Sequence, residues 1–176
     1  GDGIAGSVQT KTQFTKGFLD GLADSLADRT LFPSYVHTEA AFGSHFRNTY
    51  CVFSDSHGTL AKNDGTNAFA PNHDYSKAPN WPQAQWRSVV CFSSKRYIDA
   101  ADVNDAAKFV SVPKYLYYIS ACLSGWEPSL ANAFIARGCR HVIAYRKVIY
   151  TNKGEQMARA FFRSWANTHA LDPDKI

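Results

Sequence analysis

The chain has 176 residues, of which 45% are hydrophobic and 14% aromatic, so it can bury a core as one domain. Its net charge of +4 comes from scattered Lys and Arg, not from the basic stripe with interleaved aromatics that marks nucleic-acid binders. No run approaches the roughly 20 apolar residues that a membrane span needs. We therefore expect neither a nucleic-acid partner nor a membrane partner.

The cysteine usage is that of a reducing compartment. Neither a CxxC pair nor a Cys/His cluster with zinc-ligand spacing occurs in the sequence. Cys51 and Cys91 lie inside apolar runs, where a free cysteine behaves as a small hydrophobic residue. We therefore expect no disulfide scaffold and a cytoplasmic location, with secretion left open.

The first half of the chain predicts a helix followed by short elements. Phenylalanine or leucine recurs at every fourth position over residues 10–28, which indicates an amphipathic helix. Residues 31–36 are predicted to form an edge strand or a connector, and residues 39–46 a short helix. The apolar run 49–53 is rich in β-formers and predicts a buried strand.

Residues 59–85 have little periodicity and contain Gly65 and three prolines. They predict a long loop of a kind that is uncommon in a compact domain unless it serves a site. The loop begins directly after His57 and Gly58, which favours a position beside the substrate. A disordered insertion is the alternative.

The second half alternates strands and helices. In chain order we predict a strand over 86–92, a helix from an Asp99 cap to Phe109, a strand over 114–120, a helix from Pro128 to Arg137 with Gly138 as its stop, a strand over 140–145 and a helix over 153–167. This alternation predicts an α/β fold with a largely parallel sheet. Functional sites of such sheets lie beyond the carboxyl ends of the strands.

Two apolar strands each end in one half of a thiol–imidazole pair, at His57 and at Cys122. A cysteine thiolate is the attacking species of thiol hydrolases, and an imidazole takes up its proton. If the two strands are neighbours, both groups lie at one sheet edge. The N–H groups of Gly58 and Cys122 are then candidates for an oxyanion hole. Asp55 is a candidate third member that orients the imidazole.

These segments resemble a known superfamily. Residues 53–58 (FSDSHG) resemble the His-Gly motif of caspase-fold cysteine peptidases, and residues 118–125 (YISACLSG) resemble their cysteine motif. Legumains, metacaspases and bacterial CHAT domains belong to this superfamily. Residues 131–145 are similar to the CHAT pattern of a helix that ends in glycine before a strand, and the resemblance covers about residues 48–168.

The resemblance implies a three-layer α/β/α caspase-like sandwich with a mostly parallel sheet, as a single domain over residues 1–176. The first strand of that fold should precede the first helix, but residues 1–8 make a poor strand. We therefore expect a truncated, processed or divergent N-terminus, and a partner chain or domain that supplies the missing strand is an open option.

The resemblance also implies an endopeptidase with His57 as base, Cys122 as nucleophile, a polypeptide substrate and no metal or organic cofactor. Ser120 stands where legumains and metacaspases carry an acidic residue that binds the P1 side chain. Arg146 follows the last strand, in a region that lines the substrate groove of this fold. Both are candidate substrate contacts. The alternatives are a catalytically silent interaction module and a different thiol hydrolase or acyltransferase.

Overall fold

The computed structural model describes residues 43, 46, 51–64, 81–93 and 96–169. The helix predicted over residues 10–28 and the segment 31–36 lie outside the described residues, as does most of 39–46. The described residues fall into two compact units. One lies within Tyr35–Ile149, and the other holds the helix Thr151–His169.

In chain order the elements are β1 (Cys51–Asp55), β2 (Gly58–Lys62), a short 3-10 helix (Gln83–Gln85), β3 (Trp86–Ser93), β4 (Arg96–Ile98), α1 (Ala100–Asn104), β5 (Leu116–Ser120), α2 (Ser129–Ala136), β6 (His141–Ile143) and α3 (Thr151–His169). The first, fifth and sixth strands form a parallel sheet in the order β1-β5-β6. The prediction of an α/β fold that contains a parallel sheet is therefore confirmed.

The register of the parallel sheet fixes where its strands end. Cys51 lies opposite Leu116, and Asp55 lies opposite Ser120, so β1 and β5 end together. All five residues of β5 are buried, as expected for a central strand with both faces covered. The carboxyl ends of β1 and β5 consequently form one edge.

A second, antiparallel sheet in the order β2-β3-β4 corrects the loop predicted over residues 59–85. The start of that segment is the strand β2, whose Leu60 and Ala61 are buried and whose residues pair with β3. A five-residue strand carries too little local pattern to be found alone, because its partner strand stabilises it. Residues 65–80 lie outside the described residues.

Helix α1 begins as predicted but ends early. The Asp99 carboxylate accepts hydrogen bonds from the N–H groups of Ala101 and Asp102, and the Asp102 side chain completes the capping box. The helix ends at Asn104 instead of Phe109, because the Asp105 side chain accepts the N–H of Ala107 and turns the chain.

The remaining helices and strands follow the prediction closely. Helix α2 starts after Pro128 and ends before Gly138, whose φ of +105° is a conformation that favours glycine. The strand predicted over 140–145 is the shorter β6, and the last helix is longer at both ends than the predicted 153–167. In the parts of the chain that the structure describes, every helix is too short or too polar to cross a bilayer.

The core of the sheet unit is built on edge-to-face aromatic contacts. The ring of Phe134 on α2 lies 4.7 Å from that of Tyr117 on β5 and 5.9 Å from that of Phe46, and it also meets Phe109. Phe134 is fully buried. This contact fixes α2 against β5, the strand that leads to Cys122.

We expect Phe134→Ala to lower the free energy of unfolding by about 3–5 kcal/mol, because it leaves a cavity among three other rings. The matched control is Ile135→Ala, the next residue of the same helix, which is 49% exposed. It should change the free energy of unfolding by about 0.5 kcal/mol or less. Urea denaturation measures both, and equal losses would contradict this description of the core.

Candidate functional site

The structure brings the histidine and cysteine segments to the same sheet edge. His57 lies two residues beyond β1, and Cys122 lies two residues beyond β5. The N–H of Ser56 donates to the carbonyl oxygen of Ser120 at 3.1 Å, which extends the pairing of the two strands past their ends. The His57 side chain is exposed, and its carbonyl oxygen accepts the N–H of Cys91 at 2.7 Å. Both sheets therefore hold the histidine segment.

Gly58 lies directly against the backbone of Cys122. A Cβ atom at Gly58 would stand 1.9 Å from the Cys122 carbonyl oxygen and 3.1 Å from its amide nitrogen. Any side chain would collide with backbone, which cannot swing away as a flexible side chain can. Glycine is therefore required here for close approach of two chain segments, and this contact joins the two motifs.

The Cys122 thiol is half-buried and faces the backbone of Ile149. The Ile149 N–H donates to Sγ at 3.3 Å, and the thiol donates to the Ile149 carbonyl oxygen at 3.5 Å. The next residue, Leu123, has a φ of +56°, which is uncommon for a residue with a side chain. Such backbone conformations occur often at functional sites.

The turn after Cys122 is paired with a second segment, residues 145–149, which we call the strap. The Leu123 N–H donates to the Lys147 carbonyl oxygen at 3.2 Å, and the Gly125 N–H donates to that of Tyr145 at 2.9 Å. The Tyr145 N–H in turn donates to the Ser124 Oγ at 3.1 Å. The strap therefore runs along the whole cysteine turn.

A buried carboxylate ties the cysteine turn to the antiparallel sheet. Glu127 is 7% exposed and accepts the Ser88 N–H at 2.8 Å, the Ser129 N–H at 2.7 Å and the Ser129 hydroxyl at 2.6 Å. The Ser88 hydroxyl donates to the Leu123 carbonyl oxygen at 2.7 Å. Sequence reasoning missed Glu127 and Ser88. The one available signal was an acidic residue just before a predicted helix start.

Ser120 and Arg146 differ in accessibility. Ser120, the last residue of β5, is 1% exposed, whereas Arg146 is exposed within the strap. Their roles as substrate contacts stay predictions. Asp55, the last residue of β1, is half-buried.

A pair of tyrosines lies near the same sheet edge. The Tyr118 hydroxyl lies 2.6 Å from that of Tyr145, and the Tyr118 ring contacts that of Phe53. Burial raises the pKa of both hydroxyls, and for Tyr145 the hydrogen bond and charge of Tyr118 and the charge of Asp55 add to the rise. Both hydroxyls therefore stay neutral near pH 7 and can donate hydrogen bonds.

Within the described ranges, no group of three or more His, Cys, Asp or Glu side chains is arranged to hold a metal ion. Comparisons of the chain with protein-family models, with curated proteins and with solved structures find no match.

We expect Gly58→Ala to lower the free energy of unfolding by about 1–3 kcal/mol, because the added methyl group overpacks against the Cys122 backbone. It should also speed alkylation of Cys122, since the displaced turn exposes the thiol. The matched control is Gly138→Ala, which costs about 1–2 kcal/mol through its positive φ alone.

Gly138 precedes the amino end of β6, so its substitution should leave the alkylation rate of Cys122 unchanged. Urea denaturation and mass spectrometry of the alkylated peptides measure the two effects. A Gly58→Ala chain with native stability would contradict the close approach.

We expect Glu127→Gln to lower the free energy of unfolding by about 1–3 kcal/mol. The carboxylate accepts three hydrogen bonds, and in the variant the amide NH2 group must face at least one of these donors. The control is Asp64→Asn, at a half-exposed carboxylate 4.0 Å from Lys62, which should change stability by about 0.5 kcal/mol or less. Thermal unfolding of the two variants compares them, and indistinguishable midpoints would contradict a stabilising role for Glu127.

Proposed function

We propose that the chain is a cysteine endopeptidase of the caspase-like kind, with Cys122 as nucleophile and His57 as general base. The observation that carries the proposal is the contact of Gly58 with the Cys122 backbone, because it holds the segment after His57 against the nucleophile. The common end of β1 and β5 supports the same pairing. An exposed imidazole and a half-buried thiol at one sheet edge suit attack on a polymer substrate.

In the proposed mechanism, His57 takes the thiol proton while Cys122 Sγ attacks the carbonyl carbon of the scissile peptide bond. The oxyanion that forms accepts hydrogen bonds from the N–H groups of Gly58 and Cys122. The C–N bond then breaks, His57 gives the proton to the leaving amine, and a thioester remains on Cys122. Water activated by His57 hydrolyses the thioester, releases the acid product and restores the thiol.

The absence of a side chain at Gly58 supports this oxyanion hole. A Cβ atom there would stand 3.1 Å from the Cys122 amide nitrogen and would obstruct access to that N–H. The order β1-β5-β6, with the nucleophile strand between its neighbours, supports a three-layer caspase-like sandwich. Arg146, which is exposed, is proposed to contact a polypeptide substrate, whereas the 1% exposure of Ser120 leaves its side chain out of this proposal. A cytoplasmic location belongs to the same proposal.

A catalytically silent interaction module is the second candidate. The contacts between Sγ and the Ile149 backbone favour it, because they give the thiol structural partners within the chain. In this case the cysteine turn serves the fold, and the exposed edge serves contacts with other proteins.

We expect Cys122→Ala and His57→Ala each to abolish cleavage of a peptide library while leaving the circular dichroism spectrum unchanged. The matched control is Cys51→Ala, because burial raises the pKa of the Cys51 thiol to about 12 and keeps it protonated and unreactive at neutral pH. Its cleavage rate should equal that of the native chain. Cleavage that survives in either Cys122→Ala or His57→Ala would contradict the dyad, and a chain that cleaves nothing even when Ile149 has been moved away from Cys122 would favour the silent module.

A further inference from the structure

The strap contacts the nucleophile itself. Its last residue, Ile149, presents both polar groups of its backbone to Cys122 Sγ, with the N–H at 3.3 Å and the carbonyl oxygen at 3.5 Å. A thiol has one weak donor and a weak acceptor, so a single residue of the strap engages both. The proton that His57 would have to remove is the one directed at the Ile149 carbonyl oxygen.

The strap is held by its contacts along the turn, and its middle is open to solvent. Backbone hydrogen bonds at 2.9 Å and 3.2 Å join it to Gly125 and Leu123. Arg146 and Lys147 are exposed, and Val148 keeps 43% of its surface exposed. Displacement of the strap would therefore break a few hydrogen bonds while exposing little new apolar surface from its middle.

We propose that the strap is an autoinhibitory latch, which keeps Cys122 in an unreactive form until it moves away from the thiol. This inference rests on the proposed function, because it regulates the nucleophile of that reaction. In the latched form the thiol hydrogen bonds to the strap, and in the released form it is available to the imidazole. The structure, in which Ile149 contacts Sγ, therefore represents the latent state.

The test moves Ile149 away from the thiol. Two glycines inserted between Lys147 and Val148 lengthen the strap, so that Sγ loses the carbonyl oxygen that holds its proton and becomes more accessible. We expect this variant to raise the rate of Cys122 alkylation by iodoacetamide at pH 7 by about fivefold, the factor of one lost hydrogen bond. The matched control is Val148→Ala, which shortens an exposed side chain of the strap and keeps both Ile149 contacts. It should alkylate at the native rate.

Mass spectrometry of the digested chain measures the alkylation of each cysteine separately. Cys139 is 1% exposed, so its alkylation indicates that the chain has unfolded. If Cys139 also reacts in the variant with two inserted glycines, a second variant with a single glycine inserted at the same place is tested instead. An alkylation rate of Cys122 equal to the native rate in the folded variant overturns the latch.

The outcomes separate the latch from the peptidase. Faster alkylation together with new or increased peptide cleavage supports both. Faster alkylation without any cleavage supports the latch and overturns the peptidase. A native chain that cleaves peptides at the rate of the released variant, with equal alkylation in both, overturns the latch and leaves the peptidase standing.

Discussion

The close approach of Gly58 to the Cys122 backbone is the constraint on which the rest of the site depends. Parallel pairing of β1 with β5 brings the two chain segments to one edge, but pairing alone leaves them separated by the usual strand spacing. The missing Cβ lets the segment after His57 fold onto the cysteine turn. From there the chain enters β2, so the same residue links the parallel sheet to the antiparallel one.

Sequence reasoning predicted the elements whose signals are local. The Asp99 capping box and the glycine stop at Gly138 mark helix ends through one or two residues, and both were confirmed. The apolar run that became β5 was predicted because a central strand is buried on both faces. The common edge of the His57 and Cys122 segments followed from these strands and from the α/β topology.

What the sequence did not reveal depends on contacts between distant residues. The strand β2 is stabilised by its pairing with β3, which begins more than twenty positions later in the chain. The Glu127 carboxylate accepts three hydrogen bonds. Two come from Ser129 at the start of the following helix, and one comes from Ser88 on β3. The contact of Ile149 with Cys122 joins two loops, and neither loop has a periodicity that would indicate it. Helix α1 ends early because one Asp105 side chain competes with the helical pattern.

The thiol at this edge contacts the strap backbone, and its proposed functional partner is the imidazole of His57. The most direct measurement is the pH dependence of the alkylation rate of Cys122 in the chain whose strap is lengthened by two glycines, with His57 present and with His57→Ala. Because an imidazole ordinarily titrates between about pH 5 and 8, the account predicts a change of rate in that range that the variant lacks. Superimposable profiles would contradict it, since the thiol would then be insensitive to the histidine.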